Sequence, residues 1–158
     1  MLTFFVIYMY TGNGLSESRI GVVDVKSSLV RFSVETVGNN DFKQDETIKY
    51  EQQTLNMGNG FDWTNQLFRA PLPGTYFFSV SGTKDFGDPN STRAAVSVLI
   101  NGEQIGEAIS SDKTDFGGFS FQAVRKLNAS DKVELLMKFG NVYSLYFNGW
   151  ILDEDLAI

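Results

Sequence analysis

The chain has 158 residues, no Cys, no His and a net charge of −6. The missing cysteines exclude a disulfide framework, a zinc–thiolate site and a cysteine nucleophile. The missing histidines exclude Ser-His-Asp and Cys-His catalysis, histidine metal ligation and histidine-based pH switching. The acidic balance disfavours nucleic acid, whose phosphates are met by Lys and Arg.

Hydrophobic residues make up 42% and aromatics 14%, a globular composition with material for an aromatic core. A single domain is expected at this length, able to bury roughly 70% of its unfolded surface. Leu2 to Tyr10 (LTFFVIYMY) is apolar but falls short of the about 20 residues that cross a bilayer, so no membrane span is expected. Its length suits the apolar part of a signal peptide, and the small residues Thr11, Gly12 and Gly14 follow it. A basic leader is missing, so residues 1–14 read either as a signal peptide, with the mature chain starting near Leu15, or as an N-terminal extension that includes a first strand.

Beyond that point Gly, Asn and Asp clusters punctuate short apolar runs, which predicts many strands and few helices. Val30, Phe32 and Val34 alternate with Arg31 and Ser33. Tyr76, Phe78 and Val80 share one face of Thr75 to Ser81, and Ala94, Val96, Val98 and Ile100 share one face of Arg93 to Ile100. Val133, Leu135, Met137 and Phe139 do the same, as do Tyr143, Leu145 and Phe147. Asn101-Gly102 is a two-residue hairpin signal. About ten strands are predicted, centred among residues 23, 32, 49, 55, 68, 78, 97, 106, 122, 136 and 147. That density points to an all-β antiparallel sandwich or jelly roll. Phe77, Leu99 and Leu136 would face away from the core, either as part of a subunit interface or as scattered surface residues.

Tyr50 to Val80 reads Y-x5-N-x4-F-x6-F-x5-G-x-Y-x-F-x-V. Tyr50, Asn56, Phe61, Phe68, Gly74, Tyr76 and Phe78 at these spacings resemble the signature of the globular head domain of complement component 1q. That family shares its jelly roll with the tumour necrosis factor ligands. Val30 to Val34 is similar to the family's first core strand, and Gly38-Asn39 to the turn after it. Asp131 to Leu135 is similar to its G-D-x-V-x-[VL] strand. Phe147-Asn148-Gly149-Trp150-Ile151-Leu152 is similar to its closing strand. The resemblance covers about residues 28 to 153, and residues 20–158 are taken as the head domain. Tyr50 stands where the family usually has Phe.

The resemblance implies a secreted, non-catalytic recognition module, built as a homotrimer, that binds glycans, microbial surfaces or protein partners in innate immunity or signalling. The chain carries no Gly-X-Y stalk and is similar to the head-only members. The other readings are a tumour-necrosis-factor-like receptor ligand and a jelly-roll carbohydrate-binding or carbohydrate-active protein. The signature residues, Gly149 included, are expected to build the fold.

No cofactor is implied, with calcium the one candidate metal. Some relatives hold it in apical loops, and Asp85, Asp88, Asp112 and Asp115 would be its ligands here; the alternative is a solvated acidic surface. Asp153, Glu154 and Asp155 read as a solubilising tail rather than an acid–base pair. Trp63, Phe86 and Phe116 fall near predicted loops and are ligand-contact candidates. Asn90 and Asn128 begin glycosylation sequons.

Overall fold

The computed structural model describes residues 29–84, 93–110 and 117–155. The strand expected near residue 23 lies outside them. Ten strands run through the described residues: β1 Arg31–Asn40, β2 Gln52–Met57, β3 Phe61–Asp62, β4 Leu67–Arg69, β5 Gly74–Lys84, β6 Ala94–Ile100, β7 Glu103–Ser110, β8 Gly118–Leu127, β9 Lys132–Phe139 and β10 Val142–Glu154. They form two five-stranded sheets, β2-β1-β10-β5-β8 in front and β3-β4-β9-β6-β7 behind. Every pairing is antiparallel. The fold is an all-β antiparallel jelly roll.

Period-two patterning explains how the sheets bury one face each. In β5, Tyr76, Phe78 and Val80 are fully buried, while Phe77, Ser79 and Ser81 alternate outward. In β10, Leu145 and Phe147 point inward and Tyr146 and Trp150 outward. Asn101 (φ 51°) and Gly102 (φ 84°) both take left-handed backbone between the paired residues Ile100 and Glu103. That closes a two-residue hairpin whose twist matches its strands.

The two inner faces meet in an aromatic cluster. Phe32 sits at its centre, with ring centroids 4.9 Å from Phe68, 4.8 Å from Phe147 and 5.4 Å from Phe61. Gly149 lies against this cluster: a Cβ there would come 2.5 Å from Phe32 Cε1 and 2.8 Å from Phe78 Cδ1. The strand can pass this close only without a side chain.

Two expectations are corrected. Residues 48–50 do not form a strand. Thr47 makes a single bridge to Leu136, supported by Asp45 N–H to Met137 O at 2.7 Å and Ile48 N–H to Leu135 O at 3.0 Å. Four residues after Thr47, Glu51 N–H already bonds Glu35 O in the front sheet at 2.9 Å. The segment crosses from one sheet to the other too quickly to make a ladder, and buries Ile48 and Tyr50 on the way. Gly38 does not end its strand either. It has a φ of 87° inside β1, where the register with β10 shifts between Val37 and Asn40. The residues make a bulge, and pairing resumes at Asn40.

Candidate functional site

The signature residues take structural positions. Tyr50, Phe61, Phe68, Tyr76 and Phe78 belong to the core cluster. The Tyr76 hydroxyl donates to Leu72 O at 2.7 Å, which ties β5 to the turn before it. Asn56 brackets Phe61: its Nδ2 donates to Phe61 O at 3.0 Å and its Oδ1 accepts from Phe61 N–H at 3.1 Å. One side chain thus substitutes for a strand partner and fixes the start of β3. At Gly74 a Cβ would fall 2.4 Å from Asp153 O, so β10 runs directly against it. Tyr50 lacks any hydrogen-bond partner for its buried hydroxyl among the described residues, and burial pushes its pKa well above the ordinary phenol value.

The candidate metal ligands Asp85, Asp88, Asp112 and Asp115 lie outside the described residues, as do Phe86, Phe116 and the sequon at Asn90. Among the described residues no group of three or more acidic side chains could hold a metal ion. Lys84 and Ser110, the last described residues before the candidate metal ligands, are both buried. Trp63 is exposed on the turn between β3 and β4, with its ring 6.3 Å from that of Phe61. Asn128 is exposed, and its backbone N–H donates to Asp131 Oδ2 at 2.7 Å. Asp153 and Glu154 end β10, and Asp155 pairs with Lys126 at 3.0 Å. Among the described residues, Trp63 on the β3–β4 turn, Asn128 before β9 and the acidic end of β10 lie on separate elements.

What the register does converge is an outward row across all five strands of the front sheet. Met57 pairs with Arg31, Arg31 with Trp150, Trp150 with Phe77, and Phe77 with Val124. Trp150 is 38% exposed, Met57 39% and Val124 50%, and Leu152 stands beyond them on β10 at 53%. Only Arg31 interrupts this apolar strip, and its methylene stem can lie along apolar neighbours. The next row, Leu55, Ser33, Asn148, Ser79 and Gln122, is mostly polar. Phe77 is legible from alternation within β5, but Met57, Val124 and Trp150 join it only through registers between strands distant in sequence. On the back sheet Leu99 faces out of the core, yet is only 9% exposed.

A second feature is a hollow of about 380 Å³ beside the β3–β4 pair, lined by Asn59, Gly60, Asp62, Arg69, Pro71 and Ser130 among others. Asp62 accepts from the backbone N–H groups of Thr64 and Asn65 at 3.1 Å each and from Asn65 Nδ2 at 2.7 Å. The Asn65 side chain, its backbone N–H and the nearby Arg69 charge hold the Asp62 carboxyl below its ordinary pKa.

Two antiparallel sheets in this order, with an aromatic core between them, define a jelly roll of the complement and tumour necrosis factor type. Residues 31–152 match the C1q domain family, and the chain belongs to it. It is similar in structure to the globular domain of zebrafish complement 1qA protein, at 16% identity, with a TM-score of 0.68 over 80% of this chain and 99% of that one. The Eiger TNF of S. frugiperda is also similar, at 12% identity and a TM-score of 0.64 over 82% of this chain and 96% of that one. Murine APRIL matches at 16% identity and a TM-score of 0.59, over 77% of this chain and 99% of that one. Membership of this family supports a non-catalytic recognition module. Among the described residues no helix is long and apolar enough to cross a membrane.

Proposed function

We propose that the chain is a secreted homotrimeric recognition module that binds glycans, microbial surfaces or protein partners in innate immunity or signalling. The observation that carries this reading is the apolar row Met57, Trp150, Phe77 and Val124 on the outer face of the front sheet. A contiguous outward apolar strip is costly in water, and large obligate interfaces are built from such surfaces. Three copies would also offset weak single-site affinity, because linked sites act at high effective concentration. Membership of the C1q domain family supports the extracellular setting. If calcium is bound, Asp85, Asp88, Asp112 and Asp115 are its proposed ligands.

Light scattering coupled to size-exclusion chromatography tests the assembly. The expected mass is three times the 17.6 kDa of the chain. A monomer at micromolar concentration would remove both the interface and the avidity argument.

A further inference from the structure

We propose that the hollow beside β3 and β4 is a binding site for a neutral polyhydroxyl ligand, a sugar ring whose adjacent hydroxyls bridge Asp62 and Arg69. This rests on the recognition reading above and names a place and a chemistry for it.

The frame of the hollow is pinned by main-chain bonds. Arg69 N–H donates to Gly60 O at 2.7 Å, Ser130 N–H to Ala70 O at 2.7 Å, and Ala70 N–H to Asp131 O at 2.9 Å. Two of its lining residues, Asn59 (φ 52°) and Ser130 (φ 74°), hold left-handed backbone without being glycine. Backbone of this kind persists where the surroundings over-determine it, and it gathers at binding sites.

Unused hydrogen-bonding capacity is concentrated here. A carboxylate offers about four lone-pair positions, and Asp62 uses three of them on Thr64 and Asn65. One acceptor position is left. Arg69 brings five guanidinium N–H donors, and among the described residues they make no hydrogen bond or ion pair. The Ser130 hydroxyl and the Asn59 amide add groups that both donate and accept.

Charge then selects among ligands. One negative and one positive group leave the hollow near neutrality, so an ion of either sign is attracted by one and repelled by the other. A hydroxyl suits both, since it donates to the carboxylate and accepts from the guanidinium. Its volume lies within the range of small-molecule sites, roughly 300–1,000 Å³. Pro71 is exposed and gives one apolar flank for ring C–H groups.

The test uses the full chain, ¹⁵N-labelled and made in bacteria so that Asn128 carries no glycan. Methyl glycosides of mannose, glucose, galactose and N-acetylglucosamine are titrated at millimolar concentration while amide shifts are followed. At least one should move the amides of Asn59, Gly60, Arg69 and Ser130. Arg69→Gln should weaken that binding about tenfold or more, because a site built on hydrogen bonds loses most when a donor is removed. Ser130→Gly removes the hydroxyl while relieving the backbone at that position, so its spectrum reports binding without a folding defect. Sugar-induced shifts confined to other residues would overturn this site and leave sugar recognition standing. No shift with any glycoside, or the same amides moving with acetate or sulfate instead, would overturn the polyhydroxyl assignment. The measured mass judges the trimeric reading separately.

Discussion

The rings of Phe77 and Trp150 lie 4.5 Å apart, inclined by 36°, on the outer face of the front sheet. They are register partners on β5 and β10 and cover each other without entering the core. Such a pair is worth about 0.5–1.5 kcal/mol within a sheet. If it also anchors the subunit contact, Trp150→Ala should raise the dissociation constant of the assembly about 30-fold or more, the effect of losing an interface hot spot. Val124→Asp, which puts a charge beside Phe77, should do the same. Dilution series by light scattering would show both variants dissociating at higher concentration than the parent. Unchanged masses would mean that the strip is not the contact.

Tyr50 is a buried phenol whose hydroxyl has no partner among the described residues. An unsatisfied buried hydroxyl costs about 1–3 kcal/mol. Tyr50→Phe keeps the ring contacts to Phe61 and Phe147 and removes that group. It is expected to stabilise the fold by about 1 kcal/mol or more in urea unfolding. The folded pKa of Tyr50 is raised by burial, so its contribution is complete below the unfolded value near 10 and is lost as pH climbs toward the folded one. Tyr76 is raised too, chiefly by burial. The variant should therefore lose less stability than the parent above about pH 10, although Tyr76 still titrates. A destabilised variant would point to a hydrogen bond made by Tyr50.

Much of this architecture was legible because alternation is local. The inward set Tyr76, Phe78 and Val80 and the Asn101-Gly102 turn follow from neighbouring residues alone. The segment at residues 48–50 was not legible. Its apolar residues look like a strand's, but its partners change from β9 to β1 within four residues, a fact of three-dimensional connection. Phe61 follows Gly58-Asn59-Gly60 and reads as a loop residue, yet Asn56 clamps it into a two-residue strand. The hollow was hidden for the same reason. Asp62, Arg69 and Ser130 come together through β3–β4 and the turn before β9, and nothing in their spacing announces it.

Gly149 separates two opposing effects. Replacing Gly in a strand interior by Ala ordinarily gains about 0.5–1 kcal/mol from the smaller entropy of the unfolded chain. Here the new Cβ would meet Phe32 and Phe78 at 2.5 and 2.8 Å, inside a packed cluster whose rings have little room to withdraw. Overpacking costs about 1–3 kcal/mol, so the net sign should be destabilising. Gly149→Ala is expected to lower the urea midpoint by the equivalent of about 1–2 kcal/mol. A neutral result would show that the aromatic cluster yields more readily than its spacing suggests.

Asp62 links the turn after β3 to the hollow, and its titration reports whether that turn is formed. Its carboxyl is held low first by the Asn65 side chain and then by backbone N–H groups, with Arg69 a smaller contributor. A folded pKa below the unfolded one, about 3.9, means a stabilising contribution that is present above that pH and lost as pH falls through the folded value. The residue is only partly buried and sits at the surface, so the effect on global stability is small and solvent-screened. The informative observable is the carboxyl carbon shift of Asp62 against pH. Its midpoint should lie below about 3.9 and move up in Asn65→Ala, which removes the strongest bond, while Arg69→Gln should move it less. If Arg69→Gln moved it more than Asn65→Ala did, the guanidinium would already be committed to Asp62, and the hollow would lose the free donors on which its ligand chemistry depends.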